Sequence, residues 1–338
     1  MPMTAPVAVT MGEPAGIGGE LTLKAWLARR SAGDAAPFFA IDDPHRLEAT
    51  ARRLGLAVPL APIAAPAEAS AIFHNALPVL PQALAVPSEP GRPDTRNARA
   101  TIDSITRAAH LARDGAASAL VTNPVQKKVL QDGGFRHPGH TEYLAELGGS
   151  AGKPASVVMM LACSALRVVP VTIHVSLRRA LDLLSAELIV EAAHVTVAGL
   201  RRDLALASPR LVVAGLNPHA GEDGTMGDED LRIVKPAVER LRAEGIDVRG
   251  PLPPDTMFHA AARATYDVAL CMYHDQALIP LKTIDFSGGV NVTLGLPFIR
   301  TSPDHGTALD IAGSGRADPT SFLAALDMAG DMARRRRA

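Results

Sequence analysis

The chain has almost no cysteine, no excess of charge of either sign and no long apolar run. Two cysteines in 338 residues, Cys163 and Cys271, both in apolar stretches, exclude a disulfide scaffold and favour buried thiols in a reducing compartment. A formal net charge of −1 leaves no overall electrostatic footprint for nucleic acid. The dense basic run from Arg334 to Arg337 reads as a solvated tail. No apolar segment approaches the roughly 20 residues that span a bilayer. Met1 to Ala5 shows no basic stretch leading into an apolar core, so no secretory leader is expected. The expectation is a cytoplasmic protein with neither a membrane nor a nucleic-acid partner. Internal repeats and low-complexity linkers are also missing. So are two phosphate signatures: Gly-x-Gly-x-x-Gly in the dinucleotide register, and a Gly-Lys-Ser/Thr P-loop.

What remains is a composition of 47% hydrophobic and 20% charged residues, ordinary for a globular enzyme and long enough for two domains. Short apolar runs read as strands over Pro6 to Met11, Pro37 to Ile41, Ala117 to Val121, Ser156 to Leu161, Leu166 to Ile173, Arg210 to Leu216 and Asp267 to Met272. Helical patterns lie between them, over His45 to Leu54, Thr95 to Asp114, Ser176 to Leu204 with a break near Ser185, Asp228 to Glu244, Met257 to Ala264 and Thr320 to Arg334. Alternation of this kind predicts an α/β chain with a mostly parallel, doubly wound sheet. Residues 55–95, rich in Ala and Pro, show no strong period and no ligand chemistry.

Several segments carry polar groups where such a sheet binds ligands, beyond the carboxyl ends of its strands. Gly12 to Glu20 is a strand-to-helix turn that fits either an anion site or a plain tight turn. Thr122 to Lys128 ends in two lysines that suit a phosphate or carboxylate, or simply the surface. In the loop Gly133 to Glu142, Thr141 is placed to cap a helix over 142–147, and His140 stands where an anion would meet free backbone N–H groups. His174, His219 and His274 each follow a buried strand directly or by one short turn. One such histidine is more often a packing residue. Three at equivalent strand ends converge on one sheet edge and suit a divalent cation with an open coordination position. Asp275 would fix the imidazole of His274, and Asp255 is an alternative acidic ligand.

With these pieces in place, the chain resembles the 4-hydroxythreonine-4-phosphate dehydrogenase family of pyridoxal phosphate biosynthesis. The resemblance rests on GEPAGIGGE (12–20), PGHTEYLA (138–145), VTIH (171–174), GLNPHAGEDG (215–224), GPLPPDTMF (250–258), MYHDQALIPLK (272–282) and NVTLGLPFIRTSPDHGTALDIAG (291–313). It implies an isocitrate/isopropylmalate dehydrogenase-like fold in two domains, 1–135 plus 304–338 and 136–303, with the active site in the cleft between them. It implies a homodimer with shared active sites, His274 serving the metal of the other subunit. His174, His219 and His274 would hold one divalent ion per subunit (Zn, Mg, Mn or Co). His140, Thr141, Lys282, Asn291 and Arg300 would bind substrate. Lys282, Asp255 and Asp275 are the candidates for a catalytic base. The reaction implied is NAD- or NADP-linked oxidation of 4-phosphooxy-L-threonine to a 3-oxo acid, which decarboxylates to 3-amino-2-oxopropyl phosphate. Paralogues acting on 4-phospho-D-threonate, 4-phospho-D-erythronate or an aromatic cis-dihydrodiol carboxylate are the nearest alternatives. A metal- and phosphate-binding protein without catalysis is a more remote one.

Overall fold

The computed structural model describes residues 5–32 and 35–337; Met1 to Thr4, on which the leader expectation rests, lie outside them. Among the described residues twelve strands occur: β1 (Val7–Thr10), β2 (Phe38–Asp42), β3 (Leu60–Pro62), β4 (Leu77–Pro81), β5 (Ala119–Val121), β6 (Val158–Cys163), β7 (Leu166–Pro170), β8 (Leu211–Ala214), β9 (Val248–Leu252), β10 (Val268–Cys271), β11 (Val290–Leu294) and β12 (Arg300–Pro303). The chain divides into two compact units, Met1–Ala155 with Leu296–Ala338, and Ser156–Gly295. The sequence resemblance implies breaks after 135 and 303. The units break at 155/156 and 295/296, so His140, Thr141 and Arg300 belong to the first unit.

In the first unit six parallel strands run in the order β3-β4-β2-β1-β5-β12. β1, β2 and β5 are buried at every position, as expected of parallel strands covered on both faces. Trp26, Phe38, Phe39, Phe73 and Phe322 fill the layers around them, and the Trp26 indole donates to the Phe73 carbonyl at 2.8 Å. The Pro44–Leu54 helix starts where sequence says it should. Asp43 accepts from the His45 and Arg46 amides, Pro44 takes the first helical position, and Gly55 closes the helix at φ 64. β3 and β4 lie inside the Ala- and Pro-rich stretch that shows no period in the sequence. β3 is only three residues long and stands at the sheet edge, where prolines are tolerated.

The second unit orders its strands β11-β6-β7-β10-β8-β9. β6 and β7 form an antiparallel hairpin, β11 pairs antiparallel with β6, and β7, β10, β8 and β9 are mutually parallel. The sheet is therefore mostly parallel, as expected, with the departures confined to one side of this unit. Ser176 and Ser185 cap the Leu177–Leu183 and Ala186–Leu204 helices, which places the break at Ser185. Two expectations need correction. The stretch from Met257 to Ala264 is helical only over Ala260–Arg263, because His259 begins that turn with extended backbone. The expected Asp228 helix opens with a π-helical Asp230–Val234 segment before Lys235–Ala243. β9 was not foreseen: Gly250 and Pro251 disguise it, and the sheet edge accommodates them. The large hydrophobic side chains exposed among the described residues, Val175, Leu177, Leu181, Leu183, Met226, Leu231, Ile279 and Phe286, all belong to this second unit. Both cysteines are free and buried.

Candidate functional site

The first unit builds one polar cluster at the ends of β5 and β12. Their pairing sets Arg300 opposite Leu120 and Thr301 opposite Val121, and the Thr122 amide donates to the Thr301 carbonyl at 3.0 Å. Arg300, only 4% exposed, thereby meets the Thr122 hydroxyl, whose Oγ1 accepts from Nε at 3.2 Å and Nη2 at 2.8 Å. Burial pulls the Arg300 pKa down to about 10, so the guanidinium stays charged at neutral pH. His140 opens the His140–Leu147 helix, and its Nε2 is shielded from solvent with no hydrogen-bond partner. Burial, then the positive charges of Arg300 and Lys127, hold its pKa down to about 3. The imidazole is neutral at physiological pH and can meet an anionic ligand through an N–H without adding charge.

Thr141 is not the helix cap. Gly139 occupies that position in extended backbone, and a Cβ there would crowd the Glu142 carboxylate at 3.1 Å; Thr141 is the second helical residue and half-buried. The two lysines of the Thr122 to Lys128 turn separate in role. Lys128 pairs with Asp132 at 2.6 Å, whereas the charge of Lys127 reaches His140. The Gly12 to Glu20 turn spends its N–H groups internally: Glu13 N donates to Pro124 O, Ala15 N to the Glu13 carboxylate, Gly16 N to Glu13 O and Ile17 N to Thr307 O. Gly12 is required there. Its φ is +69, and a Cβ would stand 2.6 Å from Asn123 Cβ and 2.8 Å from the Pro124 carbonyl.

The second unit gathers the histidines. Val171 N donates to Cys271 O and the Thr172 hydroxyl to Met272 O, both at 2.8 Å, which binds the segment after β7 to the segment after β10. His174, at φ 50, and His274, first residue of the His274–Ile284 helix, then face each other with ring centroids 5.6 Å apart. Asp275 holds His274 Nδ1 at 2.7 Å, leaving Nε2 as the outward nitrogen. A cavity of about 300 Å³ lined by Thr172, His174, Tyr273, His274 and Asp275 opens beside them. His219 sits in the Pro218–Gly224 turn, where residues 219 to 223 all have positive φ although only one of them is glycine. Backbone held in that region is strained and clusters at functional sites. Gln276, which sequence reasoning passed over, ties the two strand ends: it accepts from Met272 N at 2.6 Å and donates to Gly215 O at 2.8 Å.

Among the described residues no three His, Cys, Asp or Glu side chains are gathered closely enough to hold a metal. Of the three expected ligands the structure brings His174 and His274 together, and their imidazole donors fit a divalent cation. Lys282 lies against Phe286, its Nζ 3.5 Å from the Phe286 carbonyl and 5.1 Å from the ring centroid. Asn291, on β11, keeps a buried Oδ1 without a partner. Asp255 is exposed.

Comparison with known proteins decides the family. A model described as pyridoxal phosphate biosynthetic protein PdxA matches residues 34–329. The chain belongs to the PdxA family. It is 58% identical to a 4-hydroxythreonine-4-phosphate dehydrogenase of Methylorubrum populi over 333 residues, 98% of this chain and 95% of that relative. A crystal structure of the Klebsiella pneumoniae 4-hydroxythreonine-4-phosphate dehydrogenase superposes with a TM-score of 0.87 at 40% identity, covering 97% of this chain and 99% of that one. A terephthalate 1,2-cis-dihydrodiol dehydrogenase of Burkholderia xenovorans follows at 28% identity and a TM-score of 0.64, covering 96% and 97%.

Proposed function

We propose that the protein is a metal-dependent, nicotinamide-linked 4-hydroxythreonine-4-phosphate dehydrogenase acting in pyridoxine 5′-phosphate biosynthesis. The reading takes its substrate from the 58% identical relative. The observation that carries it is Arg300, a buried guanidinium held by Thr122 beside an uncharged His140 with a free, shielded Nε2. A buried fork of N–H donors next to a neutral imidazole suits a small doubly charged group such as a phosphate. The 28% identical relative is named for terephthalate 1,2-cis-dihydrodiol, which carries no phosphate, so the phosphate requirement separates the two readings.

His174, His219 and His274 would hold the divalent ion, which supplies Lewis-acid polarisation of the substrate oxygens. A bound nicotinamide cofactor would supply the hydride acceptor, and the substrate's hydroxyl proton would pass to a base for which Lys282, Asp255 and Asp275 are the candidates. Asp275 better fits an orienting role, because its carboxylate already holds His274. His140, Thr141, Asn291, Lys282 and Arg300 bind the substrate's charged groups. The 3-oxo acid so formed loses CO₂ to give 3-amino-2-oxopropyl phosphate.

A cytoplasmic homodimer is part of the same proposal. Exposed Val175, Leu177, Met226, Ile279 and Phe286 flank the segments bearing the three histidines, and a face this apolar favours burial against a second copy. The test is turnover with 4-phosphooxy-L-threonine against free 4-hydroxythreonine, in the wild type and in His219→Ala. The phosphorylated compound should be strongly preferred, and His219→Ala should lose metal-dependent turnover while remaining folded. Equal rates with both compounds, or full activity of the variant in metal-depleted buffer, overturns the proposal.

A further inference from the structure

The Pro218–Gly224 turn that carries His219 buries only Gly221, so core packing does not hold its shape. Pro218, His219, Glu222 and Asp223 are exposed. Yet His219, Ala220, Glu222 and Asp223 all keep left-handed backbone, at φ 53, 53, 41 and 52. Side chains other than glycine adopt that region at a cost, and four of them in one turn persist only where surrounding contacts fix them.

Most of those contacts come from one short segment, Met226 to Asp230, which leads into the π-helical Asp230–Val234 stretch. Asp230 is 1% exposed, and each of its carboxylate oxygens accepts a backbone N–H just ahead of the turn, from Leu216 at 2.7 Å and from Asn217 at 3.0 Å. The same carboxylate lies under the turn: a Cβ on Gly221 would meet Asp230 Oδ2 at 3.3 Å and the Gly227 carbonyl at 2.9 Å. The Asn217 side-chain amide donates to the Glu229 carboxylate at 2.8 Å, and Met226 N donates to Gly221 O at 3.1 Å. On the other side, a Cβ on Gly215 would stand 2.7 Å from Ala220 Cα, and the Gly215 carbonyl accepts from Gln276 at 2.8 Å. The turn is clamped at its entry and at its base. A carboxylate offers an acceptor oxygen to each of two adjacent backbone N–H groups, which a neutral amide of the same shape does not. The reaction gives Asp230 no step of its own, and single π-helical turns recur beside functional groups.

We infer that Asp230 is a positioning residue for the metal: through Leu216 and Asn217 it holds the left-handed turn that presents His219 to a divalent cation. The inference rests on the reading of His219 as a metal ligand. It goes further by making metal affinity depend on a carboxylate whose two oxygens are already taken by backbone. Without that hold the turn relaxes to less costly backbone, and apparent affinity falls with the fraction of chains that keep the turn in shape.

Zn²⁺ is the probe, its Kd measured on the metal-free full chain by competition with a chromophoric chelator. Asp230→Asn keeps the shape but turns one acceptor oxygen into a donor facing a backbone N–H. It should raise the Kd about 10–100-fold, the usual effect of removing a group that orients a metal ligand. The same change in a His219→Ala chain should move the Kd less than about twofold, because the residue it acts through is gone. A carboxylate serving stability alone would act alike in both backgrounds. Val292→Ala, a buried truncation on β11, four strands along the sheet from β8, should lower the urea midpoint yet leave the Kd within about twofold. Should Asp230→Asn not fold, Asn217→Ala cuts only the bond to Glu229 and should raise the Kd about threefold or more. An unchanged Kd in Asp230→Asn, or in Asn217→Ala where it stands in, overturns the inference, as does an equal loss in the His219→Ala background. The two layers fail separately. Zn²⁺ binding weakened by His219→Ala but not by Asp230→Asn sinks the positioning role and keeps the ligand. A wild-type Kd in His219→Ala sinks both.

Discussion

Thr122→Val isolates what holds the buried arginine. The substitution keeps the shape of the side chain and removes only Oγ1, the acceptor for two Arg300 N–H groups at 3.2 and 2.8 Å. Arg300 is charged and 4% exposed, so water cannot simply replace the lost oxygen. Hydrogen bonds to charged groups contribute about 1.5–3 kcal/mol, and because one acceptor serves both N–H groups the loss should fall within that range rather than double it. Urea unfolding should show a lower midpoint at unchanged slope, the signature of changed stability in an otherwise intact fold. With the guanidinium less well oriented, the KM for the phosphorylated substrate should rise more than kcat falls. Thr122→Ser restores the oxygen and should recover most of both effects. A Val variant with wild-type midpoint and wild-type KM would show that Thr122 does not position Arg300.

Three further outcomes follow from particular contacts. The His140 pKa of about 3 lies below its unfolded value of 6.5, so the unfolded chain binds the extra proton between those values. Stability from a neutral His140 is full above about pH 6.5 and is lost as pH falls toward 3. His140→Gln should flatten that acid limb relative to wild type in urea titrations at several pH values, and an unchanged limb contradicts the burial argument. Gly12→Ala forces a Cβ to within 2.8 Å of the Pro124 carbonyl at φ +69, and should cost about 1–3 kcal/mol in thermal or urea unfolding; no loss would mean the turn is slack. Leu177→Glu with Ile279→Glu, at side chains 59% and 64% exposed, should shift the protein from dimer to monomer in light scattering and remove activity, whereas an active monomer contradicts the shared face.

How much of this was legible in sequence differs by feature. Strands buried on both faces, such as β1 and β10, announce themselves as apolar runs, and Ser185 announces the break between its two helices. The polar residues at the strand ends were legible for the same reason: a strand that stops at a histidine or arginine marks its own carboxyl end. β9 was hidden because an edge position tolerates Gly250 and Pro251, which elsewhere break a strand. Thr141 is not the cap because Gly139, in extended backbone, starts the helix two residues earlier. Thr122 as the partner of Arg300, and Gln276 as the tie between β8 and β10, depend on contacts across 178 and 61 residues of chain. No local pattern carries such contacts.

The central claim is most directly met by the absorbance of NADH on mixing the protein with NAD⁺, a divalent cation and 4-phosphooxy-L-threonine. The account predicts NADH formation that requires the phosphate, stops on chelation and returns when metal is restored. No NADH with this compound, or formation that is indifferent to the phosphate or to the metal, contradicts it.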